Sequence, residues 1–224
     1  EVNPITGQSR WTVFNPKSEK FPRNWEAFHP SKYESWDEMT FGDMPDLSHR
    51  NPYVYAEILK LMRWLIEEVG FDGFRYDFVK GYGANTITAI QEYRYMRNSK
   101  PFVPYGVAEY WDSATNTLNW VNSANFSNSN PVDAFDFPLR ELLKGMCDQY
   151  GFSLKSLVNG DSILKAQPQR TMTFVENHDL RDEGRPITND KLLAYSYIMT
   201  HEGYPCVFWK DYYNFNLALE DTPN

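Results

Sequence analysis

Short apolar strands alternate with amphipathic helices along most of the 224 residues, and this order predicts an α/β fold in which βα units build a parallel sheet. Two further observations refine that expectation. Charged side chains gather at the carboxyl ends of three predicted strands, the end at which parallel sheets and barrels keep their functional groups. Residues 1–51, by contrast, keep no helical or alternating period beyond a few residues. The fold expected is a (β/α)8 barrel, present in part, with a loop-rich subdomain in front of it.

The elements follow in order. Segment 1–51 is rich in proline and in aromatic rings set among polar residues, as in RNWEAFHPSKYESW (23–36), and reads as loop. Asn51-Pro52 then forms a helix-start pair. Val54, Ile58, Leu61, Met62, Leu65, Ile66 and Val69 recur on one helical face until Gly70 stops it, which predicts a helix of about four turns. FDGFRYDFV (71–79) alternates Phe74, Tyr76 and Phe78 with Arg75 and Asp77, the pattern of a strand. A helix is expected near 86–97, a strand at 105–110, a strand at 134–137, and helices near 139–149 and 153–158. The strand TMTFV (171–175), a helix near 190–201 and the strand YPCVFW (204–209) complete the series.

About five strands result. A complete barrel of this kind takes roughly 250 residues, but each βαβ repeat takes around 30, so residues 1–51 cannot hold three more units. The barrel is expected to be incomplete at its front, with 52–224 as its C-terminal part and 210–224 too short for a final helix or a further domain. The chain opens on Glu1 without Met or a signal-type segment, which suggests a processed protein or a piece of a longer one.

Composition excludes several classes of partner. With 22 basic and 30 acidic residues the formal charge is -8, and no Lys/Arg-rich run offers the footprint that nucleic acid or an anionic membrane needs. No apolar stretch reaches the roughly 18 to 20 residues that span a bilayer. The only two cysteines, Cys147 in a predicted helix and Cys206 in a predicted strand, lack metal-type or redox-type spacing and are expected to be buried and inert. A neutral substrate suits this chain better. Aromatic residues make up 17% of it, and rings in polar loops can stack on sugar faces or simply pack the loops.

The carboxylates carry the chemistry. Arg75 and Asp77 stand two apart on a predicted strand and so face the same side, where the guanidinium would keep Asp77 ionised, as a nucleophile requires. Glu109 follows the apolar pair Val107-Ala108, and partial desolvation would raise its pKa and let it act as a general acid. His178-Asp179 follows the strand at 171–175. Taken singly, the first pair could be an interior ion pair, Glu109 a loop cap, and NHD a turn. Together, three acids at the ends of three strands match the way glycosidases use two carboxyl groups about 5 to 5.5 Å apart to cleave with retention.

These stretches also carry a family resemblance. GFDGFRYDFVKGYG (70–83) resembles the nucleophile motif of the α-amylase family, VAEYWD (107–112) its acid/base motif, FVENHD (174–179) its third-acid motif, and MPDL (44–47) a short motif that precedes them. Order and spacing agree from roughly Trp25 to Phe215, in the manner of plant-like and bacterial α-amylases. The resemblance implies that Asp77 is the nucleophile, Glu109 the acid/base, and Asp179 the carboxylate that binds and distorts the sugar. It further implies that Arg75 orients Asp77, that His178 bonds sugar hydroxyls, that Trp111 contacts substrate, and that Lys80 and Tyr82 line the product side.

By the same resemblance, segment 1–51 is a subdomain inserted after the third barrel strand, and the first three βα units and a C-terminal β-sandwich domain are missing. So is the family's first motif. Asp43 and the carbonyl of Gly81 match two ligands of a structural Ca²⁺, a hard cation held by oxygens. Glu176 stands where Asp is frequent and is expected to be a tolerated variant. The activity implied is retaining endo-hydrolysis of α-1,4-glucosidic bonds in starch, glycogen or maltooligosaccharides, with a related glucanotransferase, an exo-acting maltooligosaccharide enzyme or a non-catalytic polysaccharide-binding homologue as alternatives. The partner expected is an α-glucan, with no nucleic acid and no membrane, for a monomeric full-length protein that is secreted or periplasmic.

Overall fold

A computed structural model describes residues 1–34, 42–127 and 129–214. Phe41, Ser35 and Trp36 of the loop region, and the chain beyond 214, lie outside the described residues. The chain forms two compact units, one of Glu1–Gly106 with Ala124–Pro131, the other of Val107–Ser123 with Val132–Asn224.

In the first unit, residues 1–34 and 42–51 are loop as expected apart from one 3-10 turn over Trp25–Ala27, pinned by isolated bridges Val2↔Ser9, Phe14↔Arg23 and Phe28↔Leu47. Helix α1 (Pro52–Trp64) begins where the sequence says, because the Asn51 side chain accepts from Tyr53 N at 2.9 Å and Pro52 lacks the N–H that would go unpaired there. Its last turn widens into a π-turn over Leu65–Val69, with Gly70 N donating to Leu65 O at 3.0 Å and Gly70 itself at φ 91. Ile66 is fully buried, yet Leu61 and Val69, assigned to the same face by their spacing, are exposed.

Strand β1 (Gly73–Tyr76) is shorter than the expected run, and α2 (Ala84–Glu92) ends before Arg97. The helix expected to 97 gives way to a hairpin, β2 (Tyr95–Arg97) against β3 (Lys100–Phe102), whose two turn residues Asn98 and Ser99 take φ 51 and 61. Left-handed backbone at both loop positions is what a two-residue hairpin requires, and the packing of Tyr95 against Phe74 and Tyr93 outweighs the helical spacing.

Strand β4 (Tyr105–Ala108) starts in the first unit and ends in the second. It is followed by α3 (Ala114–Asn125), which the sequence reading passed over, β5 (Asp133–Phe135), α4 (Phe137–Asp148), α5 (Lys155–Asn159), β6 (Thr171–Phe174), the short α6 (His178–Asp182), α7 (Lys191–Thr200) and β7 (Tyr204–Cys206). A short helix, α8 (Trp209–Asn214), occupies ground read as too short for one. The strand order is β1-β4-β5-β6-β7, and β4 to β7 pair in parallel register, with Ala108 opposite Ala134, Ala134 opposite Thr171, and Met172 opposite Tyr204. Five strands with intervening helices give the partial barrel that the alternation implied.

The second unit's core lies between α4, α7 and the sheet, where Leu139, Leu143, Val175, Ile187, Ala194 and Ile198 are buried. Each fully buried aliphatic side chain contributes about 1.5 to 3 kcal/mol relative to exposure. Cys147 belongs to this core and burial pushes its thiol up to about 11, while Cys206 is half-buried; both are free thiols. Among the described residues no helix is long and apolar enough to cross a membrane.

Candidate active site

Asp77 and Glu109 directly follow their strands, and Asp179 stands five residues past the end of β6. In the first unit, β1 ends at Tyr76 and Asp77 is the next residue. Gly73 lets this strand run close to Tyr105, since a Cβ there would lie 2.2 Å from the Tyr105 carbonyl oxygen, and Tyr105 N donates to Asp72 O at 3.0 Å. Arg75 Nη1 donates to Asp77 Oδ1, as their spacing predicts, and the Asp77 carboxylate stays largely open to solvent. Phe78 then turns with φ 44 into a 3-10 turn over Val79–Gly81, which brings Tyr82 back so that its hydroxyl donates to Asp77 O at 2.9 Å. The Tyr82 ring lies 5.1 Å from that of His49. Lys80 is half-buried in the same turn.

In the second unit, Glu109 follows the buried end of β4 and is itself 8% exposed. Trp111 stacks on Phe137 at 4.7 Å between centroids, and the Arg185 guanidinium lies over its ring at 5.3 Å. Trp111, Phe137, Glu141 and Asp161 are among the residues lining an open cleft of about 480 Å³. Ala114 N, at the start of α3, donates to Asp161 Oδ2 at 2.9 Å.

Beyond β6, Asn177 caps α6 by accepting from Leu180 N at 2.8 Å, so NHD is the first turn of a short helix. That turn sets His178 Nε2 3.3 Å from Asp179 Oδ1, both side chains partly open to solvent, while Leu180 packs beneath with Phe137 and Phe174. The second unit therefore carries Glu109, Trp111, His178 and Asp179, and the first carries Arg75, Asp77, Lys80 and Tyr82.

Among the described residues, Asp136, Arg140 and Asp211, which carried no expectation from the sequence, have no solvent exposure. Asp136 caps α4, accepting from Leu139 N at 3.0 Å, Leu164 N at 2.9 Å and the Ser162 hydroxyl at 3.1 Å. Burial raises its pKa against those bonds. The signal was available: an Asp two residues ahead of Pro138 at the head of an apolar helix is an N-cap pattern. Arg140 and Asp211 gave no such cue. Glu176, noted only as a variant, is fully buried between Arg140 and Lys191.

As for a metal, Asp43 is exposed in a turn and Gly81 is buried, both in the first unit. Among the described residues no group of three or more His, Cys, Asp or Glu could hold a metal ion.

Comparison with known proteins fits this layout. Residues 7–209 match the family model of the α-amylase catalytic domain, and the chain belongs to that family. It is 28% identical to probable α-amylase 2 of Arabidopsis thaliana over 207 residues, covering 81% of this chain and 46% of that protein. It is 33% identical to an α-amylase of Bacillus licheniformis over 175 residues, covering 75% of this chain and 33% of that protein. The crystal structure of an Anoxybacillus α-amylase superposes with a TM-score of 0.56 at 20% identity, covering 83% of this chain and 43% of that one. The chain thus spans less than half the length of these relatives.

Proposed function

We propose that the protein cleaves α-1,4-glucosidic bonds in starch, glycogen or maltooligosaccharides from within the chain and with retention at the anomeric carbon. The observation that carries this reading is that Asp77, Glu109 and the His178-Asp179 pair each stand just past the carboxyl end of a strand, β1, β4 and β6, within the stretch that matches the α-amylase catalytic domain. Asp77, paired with Arg75, attacks the anomeric carbon. Glu109 gives its proton to the departing glycosidic oxygen, and a covalent glycosyl-enzyme forms on Asp77. Glu109, now a carboxylate, takes a proton from the water that displaces Asp77, and the second inversion restores the starting configuration.

Asp179 and His178 hold sugar hydroxyls at the cleaved bond, Lys80 and Tyr82 line the product side, and Trp111 adds an apolar contact. A neutral glucan accords with the formal charge of -8. A structural Ca²⁺ belongs to this reading only in outline: Asp43 and the Gly81 carbonyl supply two oxygens where the ion takes six to eight, so no chemical step passes through it. A secreted or periplasmic, monomeric protein remains the expectation.

The second reading, glucanotransfer or exo-cleavage with the same three acids, is favoured by similarity to a cyclomaltodextrin glucanotransferase of Bacillus sp. (strain 17-1), at 26% identity over 178 residues, and to a glucan 1,4-α-maltohexaosidase of Bacillus sp. (strain 707), at 30% over 198. Incubation of the full-length protein with soluble starch, with anomers followed by NMR and product sizes by chromatography, separates them. Retention with a spread of short oligosaccharides is expected, and Glu109→Gln should slow turnover roughly 10² to 10⁴-fold. Inversion, or full activity in Asp77→Asn, would overturn the mechanism. Cyclic products or a single product length would move the reading to the alternative, and starch binding without turnover to a non-catalytic homologue.

A further inference from the structure

We infer that the buried Arg140–Glu176 pair is a positioning device for Asp179, closing the neck of the loop that presents it. The inference rests on the reading of Asp179 as a working acid and names the residues that set its place.

The loop leaves β6 at Val175 and rejoins the core at Ile187. Arg140, on α4, has no solvent exposure, and its guanidinium reaches both ends of the loop: Nε donates to Val175 O at 3.2 Å and Nη2 to Arg185 O at 2.6 Å. Glu176 is equally buried. Its Oε2 lies 3.4 Å from Arg140 Nη2, and its Oε1 accepts from Ile187 N at 2.6 Å and faces Lys191 Nζ at 3.6 Å. Two side chains thereby tie the backbone at 175 to that at 185, and 176 to 187. Asp179 is three residues from this knot.

A second layer backs it: Lys191 Nζ also meets Asp211 Oδ1 at 3.1 Å, and the Tyr195 hydroxyl donates to Asp211 Oδ2 at 2.6 Å. Arg181, two residues beyond Asp179, reaches the same carboxylate at 3.8 Å. The far end of the loop carries Arg185, whose guanidinium lies over Trp111, two residues past Glu109. The neck therefore sets both the Asp179 turn and a contact with the Glu109 segment.

Burying an ion pair is a poor way to gain stability, because well-packed apolar residues often do as well or better. What such a pair provides is fixed geometry. Arg140 bonds the carbonyls of Val175 and Arg185 and the carboxylates of Glu176 and Glu141 from one planar fork, a role that the single point charge of lysine cannot fill.

The test compares Glu176→Gln, Arg140→Met, Arg140→Lys and Asp179→Asn in the full-length protein, with kcat and KM on maltooligosaccharides well below the melting temperature, and amide exchange at Leu180 and Ile187. Displacement of a working group by an ångström costs about 100-fold, so kcat per folded molecule should fall by about tenfold or more in the first three. KM should stay within about twofold, since an interaction made in the transition state is the one disturbed. Amide exchange should quicken at both positions. Arg140→Lys should not rescue. Wild-type kcat in Glu176→Gln and Arg140→Met, or full rescue by lysine, would overturn the inference. Should Asp179→Asn keep full activity, the assignment of Asp179 fails instead, and the clamp stands or falls on amide exchange: unchanged protection at Leu180 and Ile187 would refute it. If Arg140→Met does not fold, Glu176→Gln, which keeps the side-chain volume, decides.

Discussion

Removing the Asp136 carboxylate tests whether a buried polar cap holds the second unit's core together. Its two oxygens accept from Leu139 N, Leu164 N and the Ser162 hydroxyl, all without solvent access to the side chain. Asp136→Ala loses the α4 cap, about 1 kcal/mol, and strands the Leu164 N–H in the interior, about 1 to 3 kcal/mol more. Relief from holding a carboxylate in the interior offsets part of this. A net loss of about 2 to 3 kcal/mol lowers the melting temperature by roughly 4 to 12 °C for a chain of this size.

Asp136→Asn keeps the shape and one acceptor oxygen, so it should cost less. Circular-dichroism melts at pH 7, with urea curves alongside, measure both. A shift of under about 2 °C in Asp136→Ala, or a larger loss in the Asn variant, would refute the reasoning. The pH dependence adds a sign. Burial raises the Asp136 pKa in the folded state, so its contribution is fully present below the unfolded value of about 3.9 and is lost as pH rises through the raised folded pKa. The wild type's advantage over Asp136→Asn should therefore widen on acidification toward pH 4.

Asp148 should behave in the opposite sense. Burial pushes its carboxyl up, but the Lys144 ammonium and the N–H groups of Asn189 and Thr188 outweigh it and hold the pKa below the usual carboxylate range. Its stabilisation is present above about pH 3.9 and is lost as pH falls through the lowered folded pKa. Asp148→Asn should cost about 1 to 3 kcal/mol at neutral pH, and urea curves should converge with wild type in strong acid. Gly73→Ala forces a methyl onto the Tyr105 carbonyl at 2.2 Å and should destabilise by about 1 to 3 kcal/mol or more. A melting temperature equal to wild type would show that β1 moves aside freely.

The strands beside the three expected acids were legible because their cues are local. FDGFRYDFV (71–79), YGVAEY (105–110) and TMTFV (171–175) each read as a strand with no knowledge of their neighbours, although β1 and β4 end earlier, at Tyr76 and Ala108. The α1 start was legible for the same reason, since Asn51 and Pro52 act on the first turn alone. The β2–β3 hairpin was not, because aromatic packing outweighs a helical spacing that residues 86–97 do possess. Its turn, Asn98-Ser99, lacks the glycine that usually marks such a loop.

Arg140 and Glu176 show the same limit more sharply. On a helix, an Arg followed by Glu141 reads as a solvated position, and Glu176 reads as a tolerated replacement of an Asp. Their partners lie 36 residues apart in the chain, and the bonds that define them run to the backbone at 175, 185 and 187. The sequence by itself determined the fold class and the five strands of the parallel sheet, because secondary-structure period acts within a few residues. Which charges are buried, and which backbone segments they tie together, was decided only by the tertiary structure, since desolvation and hydrogen bonding depend on neighbours that folding brings from far along the chain.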